Sequence, residues 1–384
     1  MHVKKTPSVV LRRGRERSVA LGHPWVLSGS VLRVEGEPAA GDVVALHDES
    51  GAVLGFGDFD PDAQIRVRII AFGKDEPDES AWLEARLGAA LGLRRDHPLL
   101  AGTDALRLAH AEADGLPGLV IDRYADFLSL RVGTRAMARR AEQIAEITRR
   151  ITGASAAWLR SDGAPGRALF GSVPDAPIEI RESDRRYRVD LKHGQKTGFY
   201  LDQRDARALF AMLARGARAL DLFAHTGGFA CAALAGGARE VTAVESSQQA
   251  IELARANAPG AELVTEDVNE YLRRERRTFD LIAVDPPPFA KKKRDVAAAC
   301  RAYKDLNLRA FARAAEGAHV LTFSCSHHVE PELFRKVVFG AALDAHREVQ
   351  VLGELRAPPD HPVSIRHPQG EYLKGLLLRV GGAA

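Results

Sequence analysis

Residues 218–229 read Arg218-Ala219-Leu220-Asp221-Leu222-Phe223-Ala224-His225-Thr226-Gly227-Gly228-Phe229, and this stretch decides the fold. An apolar run of strand length ends at a glycine pair, after which helical sequence begins. A glycine-rich turn between strand and helix lets a ligand approach the backbone closely. The G-x-G-x-x-G spacing of dinucleotide binders is absent. Instead an acid, Asp221, stands just before the turn. A pyrophosphate prefers an acid-free helix N-terminus, whereas an acid suits an ammonium such as that of a methionine moiety. Taken alone, a plain strand–turn–helix explains the stretch almost as well.

Downstream the pattern repeats. Apolar strands are expected at 218–223, 241–245, 261–265, 279–284 and 318–324, with helices between them and a last strand at Leu376 to Val380. Continuous apolar runs of this kind mark parallel strands covered on both faces. The second strand ends at Glu245, about 20 residues after the turn, where a carboxylate can accept both ribose hydroxyls of a nucleoside. The third ends at Glu266-Asp267, where Asp267 can accept the exocyclic amine of adenine. Each acid also suits the N-terminus of the following helix. Three consecutive strands ending in acids at the edge where open α/β sheets hold ligands carry more weight together than any one alone.

The fourth strand runs into Asp285-Pro286-Pro287-Pro288-Phe289. Three prolines fix φ and remove three backbone donors, forming an extended ledge beside an acid. A base could stack on Phe289 while Asp285 bonds its polar edge. The fifth strand runs into Ser324-Cys325-Ser326-His327-His328. A thiolate there suits attack on carbon 6 of cytosine, which makes carbon 5 nucleophilic; the bland alternative is a small buried hydrophobe. Ahead of the first strand stands Gly194-Gln195-Lys196-Thr197-Gly198-Phe199-Tyr200-Leu201-Asp202-Gln203-Arg204, a polar–aromatic string unusual for a scaffold strand.

The N-terminal half has a different character. Residues 1–73 show short β-rich runs (Val9-Val10-Leu11, Val31-Leu32, Val43 to Leu46, Ile65 to Ile70) separated by turns, and predict a small all-β barrel or sandwich. Lys74 to Asp78 reads as a linker. Residues 74–183 predict an α+β domain with helices at Ala81 to Arg95 and Ala136 to Ile151. The remainder, 184–384, is the strand–helix region. At 384 residues, 46% hydrophobic and 27% charged, the chain suits two or three globular domains. No apolar run spans a bilayer and no signal-peptide pattern opens the chain, so a cytoplasmic location is expected. Three cysteines without C-x-x-C spacing predict neither zinc nor disulfides. Net charge is only +3, but Lys4, Lys5, Arg12, Arg13, Arg15 and Arg17 cluster near the start, and Lys291-Lys292-Lys293-Arg294 form a second block. Either can neutralise phosphates or be solvated surface.

Together these motifs resemble the bacterial 23S rRNA 5-methylcytosine methyltransferases, across nearly the whole chain. Residues 194–204 are similar to that family's G-Q-K-T-G-x-Y-L-D-Q-R. Asp285 to Phe289 resembles its D-P-P-x-F, Thr322 to Ser326 its cysteine motif, and His23-Pro24-Trp25-Val26 its H-P-W-V/I. The resemblance implies an α/β, class I (Rossmann-like) methyltransferase domain behind an N-terminal PUA-like barrel and a central α+β domain. It implies S-adenosyl-L-methionine as cofactor, held by Gln203, Asp221, Phe223, Gly227, Glu245, Asp267 and Asp285. Cys325 would be the nucleophile and Asp285 its partner on the cytosine ring, with Pro286, Pro287, Phe289, Lys291 and Lys292 contacting RNA. Neither a metal nor a membrane is expected; the chain would be a monomer or a homodimer. Pro288 stands where two-cysteine relatives carry a second thiol, so the chain resembles the single-cysteine type. Two other readings compete: a methyltransferase for an exocyclic amine of guanine or adenine, and a non-catalytic RNA-binding protein.

Overall fold

The computed structural model describes residues 6–161 and 164–383, which form two compact units. The first gathers the described part of Met1–Ile178 with Asp190–Phe199 and Pro359–Gly370; the second gathers Glu179–Val189, Tyr200–Pro358 and the described part of Glu371–Ala384.

The first unit holds two sheets. Six strands lie in the order Trp25–Leu27, Ile65–Phe72, Val53–Phe59, Val43–His47, Ser8–Leu11, Val31–Glu35. Their inward residues, among them Val9, Leu11, Val44, Leu46 and Val67, make one small core. Five more strands, Ala164–Phe170, Ala156–Ser161, Phe127–Val132, Leu119–Tyr124 and Ala105–His110, form a second sheet. Helix Glu79–Arg95 packs on it through Leu83, Leu87 and Leu91. The single helix expected over Ala136 to Ile151 is two helices, Arg135–Arg139 and Ala141–Thr152. The break falls at Arg140, whose guanidinium is drawn into a bidentate pair with Asp58, at 2.8 and 2.9 Å, and a bond to Glu79. This ion pair holds the Arg140 side chain at the junction of the two helices.

The second unit is built on seven strands: β1 (Arg218–Leu222), β2 (Glu240–Glu245), β3 (Glu262–Thr265), β4 (Phe279–Val284), β5 (Ala314–Ser324), β6 (Arg347–Leu355) and β7 (Lys374–Ala383). Their spatial order is β3-β2-β1-β4-β5-β7-β6. The pairs β1–β2, β2–β3, β1–β4 and β4–β5 are parallel; β7 is antiparallel to both β5 and β6. The helices α1 (Arg204–Leu213), α2 (Gly228–Ala235), α3 (Gln248–Asn257), α4 (Val268–Arg274), α5 (Val296–Arg313) and α6 (Pro331–Asp344) cover the sheet.

Strand alternation divides each apolar run between two cores. Leu220, Leu222, Ile282, Val284 and Val320 enter the core shared with α4, α5 and α6. Ala219, Ala243, Leu281, Ala283, Leu321 and Phe323 enter the opposite core with Phe210 of α1 and Phe229 of α2. Asp221 shares the face of Ala219. Each fully buried Leu or Phe contributes roughly 1.5–3 kcal/mol, which accounts for the uninterrupted apolar composition of β1 and β4. Chain order reverses between β1 and β4, and the crevice outside the carboxyl ends of the strands opens at such a switch point.

Candidate functional site

Phe223 leaves β1 with φ +61° and His225 has φ +48°, so the chain turns sharply as soon as the strand ends. Gly227, at φ +78°, completes the turn; a Cβ there would also sit 3.2 Å from Cβ of Ala254 on α3. Only glycine combines that backbone with that approach of α2 to α3. Asp221, 1% exposed, accepts a 2.9 Å hydrogen bond from the Ala230 amide in the first turn of α2. Burial pushes its carboxyl up to about 7; the Ala230 bond opposes this, while Asp285 and Glu245 add to the rise.

Glu245 ends β2. Its Oε2 accepts from the His225 amide at 2.9 Å and its Oε1 from the Ser247 amide at 2.9 Å. The acid therefore ties the β1 turn to the start of α3, whose N-cap is Ser247. Asp267 follows β3 and caps α4: Oδ1 accepts from the amides of Asn269 and Glu270 at 2.9 and 3.1 Å. Asp267 is exposed, and its Oδ2 has no partner among the described residues.

From the segment before β1, Tyr200 sets its ring edge-on to His225, with centroids 5.1 Å apart. Its half-buried hydroxyl is held in the neutral form, by burial first and then by the charges of Asp285, Asp202, Cys325 and Glu245. Gln203 is 2% exposed, and neither its side-chain oxygen nor its nitrogen has a partner among the described residues. The Thr226 hydroxyl, buried in the β1 turn, is likewise unpaired. Orphaned buried polar atoms are costly, so these unpaired groups fit a polar ligand. An ammonium for Asp221, hydroxyls for Glu245 and a neutral amide partner for Gln203 match the donor set of an aminoacyl nucleoside.

Past β4 the ledge divides. Asp285 is half-buried, Pro286 buried, and Pro287 and Pro288 exposed. Phe289 lies against Tyr303, centroids 4.7 Å apart. Past β5, Cys325 Sγ lies 3.8 Å from the carbonyl oxygen of Pro286. Ser326, fully buried, organises this corner: its hydroxyl accepts from the Ala290 amide at 3.1 Å and shares a 2.9 Å hydrogen bond with Tyr303 Oη. The Lys374 ammonium donates to its carbonyl at 2.8 Å. Lys291 to Arg294 are exposed just after the ledge. Arg12, Arg13, Arg15 and Arg17 are mostly exposed as well, while Lys4 and Lys5 lie outside the described residues.

Sequence reasoning named Tyr200 and Ser326 only within their motifs, without a role of their own, and missed Tyr303 and Lys374 as members of this edge. It also assigned no chemistry to the central sheet. That sheet holds the first half of the polar–aromatic motif: Thr197 donates to Asp122, which pairs with Arg107 at 2.7 Å, and the Phe199 amide donates to Tyr124 Oη at 3.1 Å. Gly194 is required there because a Cβ would meet the Asp190 carbonyl at 2.4 Å. Among the described residues no helix is long and apolar enough to cross a membrane, and no group of three or more His, Cys, Asp or Glu side chains is arranged to hold a metal.

Residues 9–72 match the PUA-like domain family, and residues 159–363 match the S-adenosylmethionine-dependent methyltransferase family. The chain is 40% identical over 392 residues to a ribosomal RNA large subunit methyltransferase I of Aeromonas hydrophila, covering 97% of this chain and 99% of that one. It is 38% identical over 393 residues to its namesake in Klebsiella pneumoniae, covering 97% and 98%. Its fold is similar to that of a solved methyltransferase complexed with SAH, at TM-score 0.85 and 22% identity over 97% of this chain and 99% of that chain. An S-adenosylmethionine-dependent methyltransferase structure from Streptococcus mutans matches at TM-score 0.83 and 21% identity, with the same coverage.

Proposed function

The chain belongs to the ribosomal RNA large subunit methyltransferase I family of S-adenosylmethionine-dependent methyltransferases with a PUA-like domain, and from that premise we propose that it forms 5-methylcytosine in 23S ribosomal RNA. The observation that carries this reading is the neighbourhood of Cys325, whose Sγ sits 3.8 Å from the Pro286 carbonyl, at the switch-point edge and next in the chain to the buried Ser326. The other two thiols belong to helices: Cys231 to α2 and Cys300 to α5.

Carbon 5 of cytosine is a weak nucleophile until carbon 6 has been attacked. The Cys325 thiolate forms a bond to carbon 6 as the electron pair of the 5,6 double bond shifts to carbon 5, and the Asp285 carboxyl donates a hydrogen bond to the ring nitrogen to offset the developing negative charge. The cofactor, when bound, supplies an electrophilic methyl group. The carbon 5 proton then leaves to solvent, its bonding pair restores the 5,6 double bond, and the thiolate is expelled. Asp221, Phe223, Gly227, Glu245, Asp267 and Gln203 hold the cofactor; Pro286, Pro287 and Phe289 shape the base site; Lys291 and Lys292 face the RNA backbone. Residues 1–73 serve RNA binding, 74–183 form the central domain and 184–384 the catalytic one. The activity belongs in the cytoplasm, with the ribosomal RNA.

Mapping methylated cytosines across large-subunit ribosomal RNA from cells with and without the gene tests the reading. One 5-methylcytosine should disappear with the gene. Loss of a methyl from an exocyclic amine instead would establish the alternative chemistry that Asp285-Pro286-Pro287 and Phe289 also suit.

A further inference from the structure

The central domain holds a pocket of about 500 Å³, at the end of helix Glu79–Arg95, beside the turn Pro98–Leu100 and strand Ala105–His110. Small-ligand sites run from roughly 300 to 1,000 Å³. Its apolar lining is Leu91, Leu100 and Leu108, all buried, with the half-buried Leu106 and Ile151.

Two neighbouring arginines in this lining have opposite fates. Arg94, 2% exposed, uses all of its donors within the protein. Its Nε donates to the Arg107 carbonyl at 3.1 Å, Nη1 to the Ala90 carbonyl at 3.0 Å and Asp114 at 2.8 Å, and Nη2 to Asp114 at 2.8 Å and the Asp360 carbonyl at 3.1 Å. It anchors the helix end and has nothing left for a ligand. Arg95 is exposed and has no hydrogen bond or ion pair among the described residues. A cation in the last turn of a helix is favoured by the helix dipole, which accounts for Arg95 alone. Arg123, however, comes from a strand, Leu119–Tyr124. Its Nε donates to the Ala125 carbonyl at 2.7 Å, and its terminal nitrogens have no partner among the described residues. His97 adds a donor: its Nδ1 accepts from the Leu99 amide at 3.3 Å, which leaves the proton of the neutral ring on Nε2. Against these stands one acid in the lining, Asp96.

An apolar lining beside open guanidinium groups matches a ligand with a flat apolar body and an anionic end. Unpaired RNA nucleotides have that form, since their bases are free to leave the stack and arginine grips phosphate in a two-pronged fork. We propose that this pocket holds one unpaired nucleotide of the substrate RNA, its base against the leucine and isoleucine side chains and its phosphate on Arg95 and Arg123. This rests on RNA as the substrate and not on the chemistry at Cys325.

The test uses the full chain with its leucine and isoleucine methyl groups isotopically labelled, saturated with S-adenosylhomocysteine so that the cofactor site does not compete. Uridine 5′-monophosphate should shift the methyl resonances of Leu100, Leu106, Leu108 and Ile151. Arg95→Gln and Arg123→Gln should each weaken that binding about tenfold, as loss of a charged hydrogen-bond partner does. Ala101 lines the pocket, is exposed and has an extended backbone (φ −64°, ψ 147°), so Ala101→Trp fills the space without disturbing the core. It should abolish the shifts and lower affinity for a large-subunit ribosomal RNA fragment about tenfold, as loss of one stacked base does. The salt slope should stay unchanged, because no charge is removed. Absence of methyl shifts, or equal shifts with inorganic phosphate alone, overturns the proposal. So does a nucleotide that shifts the methyls while Ala101→Trp binds the RNA fragment as wild type does, which would make this a site for a free nucleotide. The reading of RNA as substrate fails differently, if wild type itself does not bind the fragment.

Discussion

The two halves of the catalytic sheet edge are built on opposite plans. On the β1–β2–β3 side, Asp221, Glu245 and Asp267 all have oxygens already committed to backbone amides. Each acid is fixed before any ligand arrives, and the buried side-chain polar atoms of Gln203 and Thr226 are left without a hydrogen-bond partner among the described residues. On the β4–β5–β7 side stand the Cys325 thiol, the half-buried Asp285 and the buried Lys374 ammonium, which donates to the Ser326 carbonyl. On the proposed reading the first side holds the cofactor and the second carries the chemistry. Pre-positioned acceptors lower the entropic cost of binding, whereas a reactive thiol needs a tuned field more than a rigid frame.

Removing the thiol is the harshest way to break this contrast. Cys325→Ala should cut methylation by more than about a thousandfold in single-turnover assays, as loss of a covalent nucleophile does. Cofactor affinity by calorimetry should stay at the wild-type value, because the binding side is untouched. Glu245→Ala should do the reverse, weakening cofactor binding roughly 10- to 100-fold, in line with about 1.5–3 kcal/mol for a hydrogen bond to a charged group. Unchanged affinity in the same calorimetric titration would remove Glu245 from the ribose.

Asp221 sharpens the comparison through pH. Its carboxyl rises from 3.8 in the unfolded reference to about 7 in the fold. Below pH about 4 it is protonated in both states and costs nothing. As pH climbs from there to about 7 the unfolded chain ionises first, so the fold loses stability, and above about 7 the loss is complete. Asp221→Asn should therefore raise the melting temperature at pH 8, flatten the dependence between pH 4 and 7, and weaken cofactor binding. Melting curves that keep the wild-type slope in the variant would show that Asp221 is already satisfied without a cation.

The smallest effect belongs to the exposed cations. Exchanging Lys291 and Lys292 for Gln should lower RNA affinity several-fold at low salt and reduce the salt slope by about 0.7–0.9 per residue removed. Filter binding across a salt series measures this; an unaltered slope would make the pair a solvated surface.

Much of this was legible in the amino-acid order. Strands β1, β2, β4 and β5 announced themselves because both faces are buried, and the three strand-end acids followed from where those runs stop. Strand β6 was not foreseen. It is an edge strand whose Arg347-Glu348-Val349-Gln350 start is largely exposed, so it carries no apolar run. The polar–aromatic motif was recognised as one string, yet its halves belong to different units: residues 194–199 with the central sheet, and Tyr200 onward with the catalytic one. Nothing local marks that division, since it depends on Asp122 and Tyr124, more than seventy residues earlier. Lys374 escaped notice for a similar reason. Only the reversed direction of β7 brings it to the Ser326 carbonyl, and strand direction is not written in a period of two.

The central claim, that Cys325 becomes covalently bonded to the target cytosine, is open to direct observation. Ribosomal RNA carrying 5-fluorocytosine, incubated with the protein and its cofactor, should trap the enzyme, because fluorine cannot leave carbon 5 as a proton does. A complex that survives denaturing electrophoresis in wild type and disappears in Cys325→Ala is the predicted result. No adduct with wild type, or an equal adduct with Cys325→Ala, would contradict the account.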